Sequence, residues 1–147
     1  MLGFSHQQHI RSHTATFLRS RYQTNPKAGT SVKDFKGLKV WQKAHQLVLD
    51  VYRHSQAFPA EERFGLKAHL LKSVTSVPSN IAEGCGRRGD SELARFLSIA
   101  AGSAAETEYQ LILARDLGYI SEAHHRDLDA QVNEIKRMLN TFIQRLG

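Results

Sequence analysis

The chain has 147 residues, 41% of them hydrophobic, a formal net charge of +6 and one cysteine. That length accommodates one domain with at most a tail, no run of eighteen apolar residues supplies a membrane span, and Cys85 has no intrachain partner for a disulfide, which fits a reducing, cytoplasmic setting. The charge is uneven: residues 1–34 hold five Lys or Arg against Asp34 alone, a net +4, whereas residues 35–147 hold fifteen against thirteen acids, a net +2.

Residues 1–34 read as a disordered basic tail. They mix His6, His9, His13, Ser, Thr, Gln and Arg with few apolar residues and then reach Asn25-Pro26-Lys27-Ala28-Gly29, too little apolar surface to offset the entropy of ordering. No continuous apolar segment follows the charges, so a secretory signal is not expected there.

Residues 35–147 read as four amphipathic helices. The first is expected from about Gly37 to Gln56, with Leu38, Trp41, Ala44, Val48, Val51 and Tyr52 as its apolar stripe. Phe58-Pro59-Ala60-Glu61-Glu62 is the joint, since proline suits a first helical turn and glutamates favour its positive end. The second helix is expected from about Ala60 to Cys85, with Leu70, Val74, Val77 and Ile81 spaced four, three and four apart. Pro78 falls inside that rhythm. It cannot donate to the Val74 carbonyl, so a bend is expected unless Thr75, Ser76, Ser79 or Asn80 satisfies the freed group. Gly84 and Gly86 are expected to supply the left-handed backbone that stops the helix, with Arg87 and Arg88 opposing its negative end.

Asp90 or Ser91 is expected to cap the third helix, which runs to about Leu117 and stops at Gly118. Its centre is unusually small: Ala100, Ala101, Gly102, Ser103, Ala104 and Ala105 permit close approach by a helix of the same chain or of another. Ser121 caps the fourth helix, whose Leu128, Val132, Ile135, Leu139, Phe142 and Leu146 form a heptad stripe. Four long amphipathic helices with short joints make an all-α, antiparallel up-down bundle.

Little in the chain suggests catalysis. A di-iron bundle needs two Glu-x-x-His segments, and only Glu122 and His125 match, which reads as a surface pair rather than a metal site. Cys85 has no nearby histidine base and sits at a helix C-terminus, which opposes thiolate formation. Gly84-x-Gly86-x-x-Gly89 copies the dinucleotide spacing but follows a helix instead of a strand. No cofactor, metal or small-molecule substrate is implied. Glu83 is placed to pair with Arg87 four residues on, and Glu106 and Gln110, one turn apart, are expected to hydrogen-bond across the bundle.

The segments Phe64-Gly65-Leu66, Ser76-Val77-Pro78-Ser79-Asn80-Ile81-Ala82-Glu83-Gly84, Arg95-Phe96-Leu97, Ala101-Gly102-Ser103 and Leu117-Gly118-Tyr119-Ile120, with Trp41-Gln42-Lys43-Ala44 and Phe58-Pro59 in order before them, resemble the bacterial four-helix-bundle family named after proteins encoded in 23S rRNA intervening sequences. The accessory variability determinant of diversity-generating retroelements looks like a relative. The resemblance covers roughly Phe35 to Leu146. It implies a homo-oligomer, a ring-like pentamer of such bundles, and, through the retroelement relatives, a positive surface that meets RNA and a reverse transcriptase. Departures from the family pattern weaken the RNA side: His69 and Lys72 stand where the family usually has Gln and Arg, Leu71 where a basic residue is common and Ala104 where leucine is, and lysine cannot make the planar two-point contact of arginine.

The basic clusters in the globular part are Lys36, Lys39 and Lys43 on the first helix and Arg87, Arg88 and Arg95 around the second joint. Phosphate contact needs such cations in register with a backbone. The expected function is therefore a non-enzymatic, oligomeric bundle that binds structured RNA or a ribonucleoprotein partner, with Arg87, Arg88 and Arg95 first and Lys36, Lys39, Lys43 and Lys72 after them. The alternative is a protein-interaction scaffold with no nucleic-acid affinity.

Overall fold

The computed structural model describes residues 34–147, so the expected disorder of the N-terminal tail lies outside the described residues. A 3-10 turn at Phe35–Gly37 precedes α1 (Lys39–Ser55), and a second at Ala60–Glu62 precedes α2 (Leu66–Gly86); α3 (Asp90–Asp116) and α4 (Glu122–Leu146) follow. No strand occurs among the described residues. Each helix packs against the next and α4 returns to α1, so the joints of a few residues make an antiparallel up-down bundle with α1 and α3 at opposite corners.

The apolar stripes close the centre. Leu70, Val74, Val77 and Ile81 of α2 are all buried, as are Leu128, Val132, Ile135 and Leu139 of α4, while Phe142 and Leu146 pack partly against the same core. Burying such side chains is worth roughly 1.5–3 kcal/mol each, enough to carry Pro78 inside a continuous α2. On α1 the stripe is Val40, Trp41, Ala44, Leu47, Val48 and Val51. Tyr52, expected among them, is 47% exposed instead, because Ser55 takes the inward position one turn on.

Several local expectations are corrected. Helix α2 starts at Leu66 and not at Ala60, since the chain turns again at Arg63-Phe64-Gly65; Glu62 then accepts from the Leu66 N–H at 2.8 Å and from the Tyr119 hydroxyl at 3.2 Å, clipping the first joint to the third. Asn80 donates to the Ser76 carbonyl at 2.8 Å and not to Val74, the carbonyl freed by Pro78. Gly84 and Gly86 lie within the helix, and positive φ belongs to Gly89 (85°) and Gly118 (78°) among the described residues. Gly89 also precedes α3 as its N-cap, without a side-chain cap from Asp90 or Ser91. The reversal between α2 and α3 is so short that a left-handed backbone takes the capping position. Ser121 does cap α4, accepting from the His124 N–H at 3.1 Å.

Gly84 has a different purpose. A Cβ built there would lie 2.9 Å from Phe96 Cβ and 3.1 Å from Leu93 Cδ1, so the glycine lets α2 and α3 close on one another. Ala100 and Ala104, both fully buried, continue that approach along α3. Gly102 faces outward with nothing within 4 Å of where its Cβ would be.

Candidate nucleic-acid interface

Helices α2 and α3 meet at the Arg87-Arg88-Gly89 joint, where three of the expected site residues stand together. Phe96 anchors them: it is buried, and the guanidinium carbons of Arg87 and Arg95 lie 5.1 and 4.5 Å from its ring centroid, a cation–π distance. Arg87 also pairs with Glu83 at 2.9 Å, the i,i+4 contact expected from spacing. Arg95 pairs with Glu92 through two nitrogens, at 3.1 and 3.4 Å. That hydrogen bond, with added attraction from Arg95 and Arg87, holds the Glu92 carboxyl below the ordinary carboxylate range. Arg88 is exposed and has no ion pair among the described residues.

The joint is basic in shape more than in sum. Arg87, Arg88 and Arg95 are matched by Glu83, Asp90 and Glu92. Both Arg–Glu pairs are about half exposed, and exposed pairs are worth about 0–1 kcal/mol. A phosphate oxygen can therefore replace either glutamate at small cost while keeping the bidentate geometry arginine favours.

The expected lysines divide. Lys36 is exposed on the first 3-10 turn, its Nζ 6.0 Å from the Phe35 ring centroid, and that turn packs against α2. Lys39 is exposed on the first turn of α1. Lys43 reaches across to Glu134 of α4 at 2.9 Å. Lys72 is exposed but adjoins Ser73, which bonds to Thr107 and Gln110; at 1.5 Å per residue it lies about 22 Å along α2 from Arg87. The bundle end thus groups Arg87, Arg88 and Arg95, with Lys36 on the adjoining turn, and leaves Lys43 and Lys72 apart.

Sequence reasoning anticipated Gln110 reaching across the bundle but missed the polar ladder between α2 and α3 that receives it, buried at Ser73 and Thr107 and half-buried at Ser76, Asn80 and Ser103. The Ser73 hydroxyl donates to Gln110 Oε1 and accepts from the Thr107 hydroxyl at 3.0 Å. One turn along, Ser103 donates to Ser76 at 3.0 Å, and Asn80 Nδ2 donates to the same Ser76 oxygen at 2.9 Å. The signal was the spacing: 73, 76 and 80 run three and four apart, as 103, 107 and 110 run four and three apart. Gln110 thus bonds across the bundle as expected, whereas Glu106 meets Gln110 on its own helix, at 3.4 Å.

The enzyme-like candidates are placed as follows. Cys85 is buried, and burial followed by the charge of Asp34 pushes its thiol pKa up, away from thiolate chemistry. His125, expected at the surface, is buried with Nδ1 3.5 Å from Arg115 Nη1. No group of three metal-ligating side chains forms among the described residues, and none of the helices described is long and apolar enough to cross a membrane.

Comparison with known proteins agrees with this architecture. The profile of the 23S rRNA-intervening sequence protein family matches residues 36–141. No curated protein sequence matches. A crystal structure of a protein of unknown function from the S23 ribosomal protein family of Bacteroides thetaiotaomicron superposes with a TM-score of 0.66 at 25% identity, covering 71% of this chain and 97% of that one.

Proposed function

Since this chain belongs to the 23S rRNA-intervening sequence protein family, we propose that it is a non-enzymatic, self-associating helical bundle that binds structured RNA, alone or with a protein such as a reverse transcriptase, through the end where α2 meets α3. The observation that carries the reading is the arginine arrangement: Arg87 and Arg95 held against Phe96, with Arg88 exposed beside them and in no ion pair among the described residues. Guanidinium groups held in place by an aromatic ring lose less freedom when they meet a phosphate. The family's name, and the ribosomal-protein name carried by the similar structure, both point toward ribosomal RNA.

The balance of three arginines against three acids at this joint favours a second reading, a protein-interaction scaffold in which the same end recognises a polypeptide of mixed charge. A titration separates the two. A chain beginning at Lys33, which lacks most of the basic N-terminal stretch, is mixed with a structured ribosomal RNA fragment at several salt concentrations. RNA binding predicts an affinity that falls with salt, and Arg87→Ala with Arg88→Ala should weaken it and flatten the log–log salt slope by about 1–2, since each lost phosphate contact removes slightly less than one from it. Absence of binding at low salt favours the scaffold.

A further inference from the structure

We propose that residues 1–33 and the arginine joint form one RNA-binding surface, in which the N-terminal segment supplies most of the phosphate attraction and the bundle end fixes where the RNA lies. The inference rests on the RNA reading above and extends it to a part of the chain which that reading leaves out. Residues 1–33 hold Arg11, Arg19, Arg21, Lys27 and Lys33 with no acid among them, whereas residues 34–147 hold fifteen Lys and Arg against fourteen Asp and Glu. Five of the six net charges therefore lie ahead of the bundle. A joint whose arginines are matched by acids gains little from long-range attraction. A run of unopposed cations supplies that attraction.

The segment joins the bundle at the same end as the arginines. Asp34 begins the first 3-10 turn and accepts from the Lys36 N–H at 3.1 Å. That turn is pinned to α1, since Gln42 donates to the Lys36 carbonyl at 2.9 Å and Phe35 meets Trp41 edge-on with ring centroids 5.1 Å apart. It also packs against α2. The part of α2 nearest Asp34 is the last turn: after burial, the Asp34 charge pushes the Cys85 thiol up, and Arg87 is two residues further on. Covalent length then bounds how far the cations stand from that point. At no more than ~3.6 Å per residue, Lys27 lies within about 25 Å of Asp34, and Arg21 and Arg19 within about 50 and 55 Å. A single RNA seated on the joint can meet them all.

Composition points to the same ligand. Phe17, Arg19, Arg21 and Tyr22 place two guanidinium groups between two aromatic rings within six residues. Guanidinium groups bind phosphates, and aromatic rings take unpaired bases on their faces. Inside the chain the competing partner is α3, which carries Asp90, Glu92, Glu106, Glu108 and Asp116. Three of those acids already meet cations of the bundle: Glu92 pairs with Arg95, Glu108 with Lys136 and Asp116 with Arg115. RNA offers the segment an unopposed row of charges instead.

The test titrates the full chain with the structured ribosomal RNA fragment at salt concentrations from about 50 to about 200 mM. Four proteins are compared: the wild type, a segment variant combining Arg11→Gln, Arg19→Gln, Arg21→Gln and Lys27→Gln, a joint variant combining Arg87→Ala and Arg88→Ala, and one with all six substitutions. The segment variant leaves residues 34–147 untouched, so its helical circular dichroism should match the wild type. It should flatten the log–log salt slope by about 2–3, so that the advantage of the wild type over it grows by roughly 15- to 60-fold as salt falls across that range. The joint variant should flatten the slope by about 1–2, and the six substitutions together by the sum of the two effects. A segment variant that keeps the wild-type slope overturns the inference, while a loss in the joint variant still upholds the RNA reading. A joint variant that binds as the wild type does sinks that reading, and the shared surface with it, even where the segment variant loses affinity. Tighter binding by the segment variant means that the segment covers the bundle's own acids, which also overturns the inference.

Discussion

Replacing Gly84 by alanine tests the packing that brings the arginine cluster together. The added Cβ would lie 2.9 Å from Phe96 Cβ, 3.1 Å from Leu93 Cδ1 and 3.4 Å from the Leu93 carbonyl oxygen. The leucine methyl can rotate away, but Phe96 Cβ and the carbonyl belong to the α3 frame, so relief requires the two helices to separate. Two effects oppose each other. Helix propensity favours alanine by up to about 1 kcal/mol, while overpacking a tight contact costs about 1–3 kcal/mol. The clash should win, leaving a net loss near 1–2 kcal/mol and a fall in Tm of roughly 4–10 °C for a domain of this size. Gly86→Ala is the internal control. Nothing lies within 4 Å of a Cβ at Gly86, which is exposed in the last turn of the same helix, so that variant should gain a few tenths of a kcal/mol or stay level. Urea unfolding of both, followed by circular dichroism, gives the comparison. If Gly84→Ala is as stable as Gly86→Ala, the close approach of α2 and α3 is not what that glycine provides.

The buried ladder should be sensitive to the loss of one member. Ser73→Ala leaves Gln110 Oε1 without its donor across the interface, while the Thr107 hydroxyl falls back on the Ser103 carbonyl at 2.9 Å, a cost of about 1–3 kcal/mol, and Ser73→Ala with Thr107→Val and Gln110→Leu should recover most of it in the same urea assay. Burial lowers the pKa of His45, whose ring stacks on Trp41 with centroids 5.1 Å apart. The folded state then holds the neutral ring more strongly than the unfolded chain does, so stability is full at neutral pH and declines as pH falls through the unfolded value of about 6.5; His45→Gln should flatten that decline in unfolding midpoints taken between pH 7 and 5.

The bundle was legible because its stripes were. Leu70, Val74, Val77 and Ile81 repeat at helical spacing and are buried in the structure, and the burial they contribute carries the helix through Pro78. What could not be read was anything set by the distance between two helices. Gly84 looks like a terminator from its neighbours in sequence, and only the nearness of Phe96 reveals its use. Tyr52 continues an apolar rhythm yet faces outward, since an eighth of a turn decides which residue meets the core. At the site, the Glu83–Arg87 pair followed from spacing, whereas the Phe96 anchor depends on two arginines from different helices meeting one ring.

The proposed functions are linked by charge. Around the α2–α3 joint three arginines face three acids, so a single protomer offers a phosphate backbone little net attraction beyond the exchange of a carboxylate for a phosphate oxygen. Such an exchange is close to neutral for exposed pairs, which makes each site weak. Weak sites become useful when several are held at fixed spacing, because the second contact is then intramolecular and its effective concentration is high. Self-association of the bundle, as proposed above, would supply that repetition, with Arg88 the site arginine that forms no ion pair among the described residues. By linkage, an RNA that prefers the assembled form must also strengthen the assembly. Diluting the protein below the concentration at which its copies associate should therefore lower RNA affinity per protomer while Arg87, Arg88 and Arg95 remain intact.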